Sequence, residues 1–131
     1  MSSSSNKIVL WSFDGEFFEM EESEARLSVT ITNMIEDGCA KPVIPIPSIT
    51  GRILSKVTEY CRKHANTAAN DHTLRLFDSR FINVDEVTLV NLGKVAMYPD
   101  IKSLFNLICE APHNIIKNKT KEEICELFNI E

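Results

Sequence analysis

Glycine is scarce in this sequence: only Gly15, Gly38, Gly51 and Gly93 occur, each alone. A loop that cradles phosphate needs clustered glycines whose backbone N–H groups can close on the ligand, so nucleotide binding has no support. Basic charge is sparse as well. The chain carries 14 Lys and Arg against 19 Asp and Glu, a net charge of -5, and the halves share the deficit: seven basic against nine acidic side chains in residues 1–64, seven against ten in residues 65–131. Without a basic stripe, no nucleic-acid partner is expected. No apolar run approaches the roughly 20 residues of a membrane span, so no membrane partner is expected either. The serine-rich start, Met1 to Asn6, runs straight into Lys7 without the apolar stretch of a secretory signal, which points to a soluble intracellular chain. The four cysteines, Cys39, Cys61, Cys109 and Cys125, are widely spaced and read as buried thiols rather than disulfides.

What is present fits one globular domain. With 131 residues, 44% of them hydrophobic and 25% charged, the chain is long enough to bury a core covering roughly two-thirds of the surface its unfolded form exposes. Residues 7–13 and 17–20 are extended runs joined across Asp14-Gly15, a pair that favours a hairpin because Gly accepts positive φ. In the first run Ile8 and Leu10 face one way and Val9, Trp11 and Phe13 the other, so both faces of the strand are expected to be packed. Helical spacing begins at Ser28, places Ile31, Met34 and Ile35 on one face and ends at Gly38. Pro42, Pro45 and Pro47 around Ile44 and Ile46 indicate a short edge strand. With Thr50 as N-cap, an amphipathic helix turns Ile53, Leu54, Val57, Tyr60 and Cys61 inward and Arg52, Lys56, Glu59, Arg62 and Lys63 outward.

Residues 66–72 lack apolar periodicity and read as a surface loop. Beyond it the pattern is helical, with segments opening at Asp85, at Asp100 and at the capping box formed by Thr120 and Glu123. The domain reading is residues 1–65 and 73–92 as one α/β unit interrupted by the loop at 66–72, followed by a helical region at 93–131.

A search for chemistry returns little. Cys61 and His64 lie three apart on a helix, but no second Cys/His pair completes a zinc site, so Cys61 reads as core and His64 as an exposed helix end. The acidic pairs Glu21-Glu22 and Glu122-Glu123 lie in polar runs where solvent keeps both carboxylates ordinary. What stands out is an apolar excess in the last helices: Leu104, Phe105, Leu107, Ile108, Ile115 and Ile116 exceed one narrow stripe. Either a partner covers the second face or a small helical array uses both faces as core.

Residue by residue, the sequence resembles a known family. Lys7-Ile8-Val9-Leu10, Asp14-Gly15-Glu16 with Phe18-Glu19, Met34-Ile35-Glu36-Asp37, Pro45-Ile46-Pro47 and Val57-Thr58-Glu59-Tyr60-Cys61 are similar to the S-phase kinase-associated (Skp) adaptors of SCF ubiquitin ligases, above all the plant-type members. After the loop the likeness resumes with Phe77-Asp78, Phe81, Val84-Asp85, Thr88-Leu89, Ala96, Tyr98 and Ile101-Lys102, and then Lys119-Thr120, Glu122-Glu123-Ile124 and Phe128-Asn129-Ile130. The resemblance implies an α/β fold of BTB/POZ type followed by short C-terminal helices. It implies a non-catalytic adaptor without cofactor or metal, acting in nucleus and cytoplasm, whose partners are a cullin scaffold and F-box proteins. Cullin contact is implied for Met97 and Tyr98. F-box contact is implied for Ile101, Leu104, Phe105, Leu107, Ile108, Ile115, Ile116, Ile124 and Phe128.

Several departures from the family carry expectations of their own. Met97 stands where the family has Asn, which implies weaker cullin binding. Gly93 within a helix is expected to cost about 1 kcal/mol relative to Ala, and Lys94 beside it must snorkel or lose burial. Pro112, inside a helix expected over residues 101–116, should kink it at about 3 kcal/mol. The family's closing C-terminal helix is not present before Glu131, which implies weakened or narrowed F-box binding. Three other readings remain: a competitor that binds only one partner, a BTB-type self-associating protein, and a thiol or metal enzyme built on Cys61, His64 or Cys109.

Overall fold

The computed structural model describes residues 7–38, 43–46, 49–65, 70–97 and 101–129. Strands β1 (Lys7–Ser12) and β2 (Phe17–Glu21) form the expected hairpin, paired antiparallel with Val9 opposite Glu19 and Trp11 opposite Phe17. Gly15 takes φ +86° at its tip, the conformation that Asp-Gly turns exploit. Two short helices follow, α1 (Glu22–Ala25) and α2 (Val29–Glu36), the second capped by Ser28 Oγ accepting from the Ile31 N–H at 3.0 Å and closed by Gly38 at φ +89°. Strand β3 (Val43–Ile46) pairs parallel with β1, so the sheet order is β2-β1-β3 and β3 lies at an edge, where Pro45 is tolerated. Pro42, Pro47 and Cys39 lie outside the described residues.

Helix α3 (Gly51–Ala65) runs beneath the sheet. Its inward stripe is as expected: Ile53, Leu54, Val57, Tyr60 and Cys61 are all buried, meeting Ile8, Leu10, Met20, Ile44 and Ile46 from the sheet. Each such side chain contributes about 1.5 to 3 kcal/mol on leaving water. Thr50 does stand at the N-cap, its carbonyl accepting from the Leu54 N–H at 3.1 Å. The side chain that satisfies the first turn, however, is Asp14, whose Oδ1 accepts from the Gly51 N–H at 3.0 Å. The hairpin tip therefore caps the helix. A methyl on Gly51 would fall 2.6 Å from the Glu16 carboxylate, the far end of an exposed side chain that can turn away into solvent.

Four further helices follow among the described residues: α4 (Asp71–Phe81), α5 (Glu86–Met97), α6 (Lys102–Cys109) and α7 (Lys121–Asn129). The loop expected over residues 66–72 is shorter at its C-terminal end, because Asn70 Oδ1 accepts from the Thr73 N–H at 2.8 Å and starts α4 at Asp71. Residues 66–69 lie outside the described ones. The boundary drawn at residue 93 falls within α5. Thr120 and Glu123 form the reciprocal capping box of α7 at 3.1 and 2.8 Å. Pro112 corrects another expectation: α6 ends at Cys109, with the Ala111 N–H turning back to the Ile108 carbonyl, so the exposed Pro112 lies beyond the helix and kinks nothing.

Two-sided packing of β1 is corrected as well. Ile8, Leu10 and Ser12 are buried, whereas Trp11 and Phe13 are exposed and Val9 is only half-buried, because among the described residues α1 and α3, the helices that contact the sheet most, pack on the Ile8 and Leu10 side.

Candidate functional site

Helix α5 is the centre of the C-terminal array. It buries Leu89, Leu92, Gly93, Val95 and Ala96, and α6 and α7 pack onto it through Leu104, Ile108, Ile124 and Phe128. Asp85 starts it: its Oδ1 accepts from the Thr88 hydroxyl at 2.6 Å, and that bond is the main cause holding its carboxyl below the usual carboxylate range. Helix α6 is tied to α3 by the Tyr60 hydroxyl, which donates to Ser103 Oγ at 3.0 Å. Burial outweighs that bond and pushes the phenol up to about 12.

Gly93 has a reason for being glycine. A methyl at this position would stand 2.5 Å from Cδ2 and Cζ of Phe128, closer than carbon atoms approach. The expected propensity cost is thus offset by an aromatic ring lying directly on the α5 backbone. That ring meets Phe105 of α6 edge to face, with centroids 6.4 Å apart, so the three helices converge here. Lys121 Nζ of α7 also donates to Asn106 Oδ1 of α6 at 3.1 Å. Lys94 is half-buried, in keeping with a snorkelling side chain.

Between the three helices lies a cleft of about 400 Å³ lined by Ala96, Met97, Lys102, Phe105, Asn106 and Cys125. Its floor is apolar and its rim carries an ammonium and an amide, a chemistry suited to an apolar side chain presented by a partner helix. A second cleft of about 400 Å³ lies between α4 and the end of α6, with Ile82, Leu107 and Pro112 among its lining residues.

The expected binding residues divide. Ile101, Leu104, Ile108, Ile116, Ile124 and Phe128 are buried in the chain's own core and offer no surface in this conformation. Phe105, Leu107 and Ile115 are half-buried, and Phe105 and Leu107 open into different clefts. Met97, expected at a cullin, lies in the same cleft as Phe105. Tyr98 lies outside the described residues. Sequence reasoning missed Lys102, Asn106 and Cys125, although spacing held a signal, since Phe105 and Asn106 lie three and four residues beyond Lys102 and so neighbour it on the helix surface.

The enzyme reading finds little to work with. Burial pushes the Cys61 thiol up to about 12, far from a nucleophile's range. His64 is not an exposed helix end: its Nε2 lies 2.7 Å from Asp78 Oδ1 and its ring rests on Tyr60 at 4.3 Å. Cys109 and Cys125 are free and half-buried rather than fully buried. Among the described residues no three His, Cys, Asp or Glu side chains converge as metal ligands, and no helix is long and apolar enough to cross a membrane.

Comparison with known proteins decides the family. Residues 6–66 match the Skp1 family tetramerisation domain, a POZ domain, and residues 102–131 match the Skp1 family dimerisation domain. SKP1-like protein 9 of Arabidopsis thaliana is 46% identical over 132 residues, covering 98% of this chain and 86% of that relative. The chain belongs to the Skp1 family. SKP1-like protein 1A of Arabidopsis thaliana is 42% identical, covering 98% of this chain and 87% of its own length, and SKP1-like protein 1 of Oryza sativa subsp. japonica is 42% identical, covering 95% and 83%. The sheet over α3 is thus the Skp1 POZ unit, and α6 and α7 are the elements of the second Skp1 domain. Skp1 membership supports an adaptor role in SCF ubiquitin ligases and so in the ubiquitin pathway.

Proposed function

We propose that the protein is a non-catalytic adaptor that joins a cullin scaffold to F-box substrate receptors, serving ubiquitin-dependent proteasomal degradation in nucleus and cytoplasm. The observation that carries this reading is the match of both Skp1 domains, in order, within one chain. The cleft of α5, α6 and α7 supports it, because an apolar floor with a polar rim suits an amphipathic helix. Phe105 is the residue we assign to F-box contact there, with Ile115 and Leu107 as further surface contributors. Met97 and Tyr98 are assigned to the cullin. Holding both partners at once raises the effective concentration of a bound substrate at the ligase, which is the whole of the mechanism.

Co-purification with a cullin N-terminal domain and an F-box peptide as separate baits tests the proposal. Retention on both baits is the expected result. Loss of the cullin alone would favour the competitor reading, and loss of the F-box peptide would remove the adaptor role altogether. Phe105→Ala should weaken F-box retention while leaving cullin retention in place.

A further inference from the structure

The outer face of the sheet carries an unusual set of side chains. Trp11 is 44% exposed, Phe13 73%, Phe17 61% and Val43 52%, although the register sets Trp11 between Phe17 of β2 and Pro45 of β3 on this one side. The Trp11 and Phe17 rings are stacked, 5.5 Å between centroids and 10° between planes. Beside them a notch of about 180 Å³ opens between Trp11, Phe13 and Pro45. Solvated antiparallel faces normally alternate to polar residues, so three exposed aromatics in one cluster mark an interaction surface.

Size and charge indicate what covers it. At about 150 to 250 Å² per aromatic side chain, the exposed parts of the three rings give roughly 350 Å², the size of an apolar patch that marks an interaction site. A second copy is disfavoured, because an isologous contact would bring the same acidic side chains together on chains of net charge -5. Glu19 and Glu21 share the face with Val9 and Lys7; Lys7 pairs with Glu21 at 2.7 Å and is also attracted by Glu19, so the three side chains leave one net negative charge on this face, with the exposed Glu19 carboxylate nearer the aromatics than Glu21. Aromatic faces attract guanidinium and ammonium groups as well.

We propose that this face docks a short apolar segment of another protein flanked by Lys or Arg, with an apolar side chain in the Trp11–Phe13–Pro45 notch and a basic one beside Glu19. The surface is independent of the α5–α6–α7 cleft and of the adaptor reading. Trp11 is the sole tryptophan, so its fluorescence reports on this face alone.

The test titrates the full chain with the synthetic peptide Lys-Arg-Leu-Pro-Leu-Arg-Lys and with its counterpart in which Glu replaces every basic residue. A saturable blue shift or quench is expected for the basic peptide, with affinity lower by at least about tenfold for the acidic one. Glu19→Lys, which keeps every apolar contact, and the double variant Phe13→Ser/Phe17→Ser should each lose about tenfold, while Phe105→Ala should bind as the parent does. Failure of the basic peptide to saturate, or an equal response to both peptides, overturns the proposal. So does loss of binding in Phe105→Ala, which would move the site to the helical cleft. A blue shift that grows with protein concentration without peptide, together with sedimentation as a dimer, would identify a second copy as the occupant instead.

Discussion

A single missing methyl organises the C-terminal half. Gly93 lets the Phe128 ring lie on α5, so Gly93→Ala is expected to destabilise by about 1 to 3 kcal/mol in chemical denaturation, against the gain of about 1 kcal/mol that helix propensity alone predicts. Trimming the ring with Phe128→Leu should recover part of the loss in the double variant, since the two positions touch. At the other end of the molecule, Asp14 holds the first turn of α3. The Ser12 hydroxyl chiefly lowers its carboxyl, partial loss of hydration opposes this, and the Gly51 N–H adds to the lowering. A carboxyl lowered in the folded state contributes stability that is complete above its unfolded value near 3.8 and disappears as pH falls through the lower folded value. The denaturation midpoint should therefore fall more steeply below pH 4 in the parent than in Asp14→Asn. Cys61 has the opposite sign: with its folded thiol raised to about 12, the unfolded chain ionises first and stability declines as pH rises above about 9. Native thiol labelling at pH 8 should be unchanged in Cys61→Ser.

Among the elements, those with a local signature were legible in the sequence: the Asp14-Gly15 hairpin, the Ser28 cap, the apolar stripe of α3 and the Thr120/Glu123 box of α7. Features decided by distant partners were not. Nothing near Thr50 says that Asp14 will cap the helix, and nothing near Gly93 announces Phe128. The candidate site was legible as an excess of apolar residues, but not as a division between core and surface, because a half-exposed Phe105 and a buried Leu104 obey the same helical spacing. Helix α4 shows how much tertiary packing adds. Its Phe81 is buried, tilted against Tyr60 at 5.4 Å and covered by the Lys56 ammonium 4.9 Å above the ring, while His64 and Asp78 join the same two helices. Phe81→Ala should cost about 3 to 5 kcal/mol and release α4 first, visible as faster hydrogen exchange over residues 71–81. Pro112→Ala, beyond the end of α6, should change stability by less than about 0.5 kcal/mol.

For the whole molecule, the POZ unit and the C-terminal helices share one core, with α3 touching both the sheet and α5. With Met97 assigned to the cullin, Met97→Asn should strengthen cullin binding by about tenfold, measured by titration calorimetry, and because Met97 also lines the cleft assigned to the F-box, the same variant should weaken F-box retention modestly. The contact of Gly93 with Phe128 also governs how such chains can be recombined. A chimaera spliced between these positions takes its α5 from one relative and its α7 from another. Where the α5 donor carries a larger residue at the glycine's position and the α7 donor keeps the ring, the product inherits a clash that neither parent had. Drift at one of the two positions is then permissive or forbidden according to the other, and the pair behaves as one heritable unit within the chain.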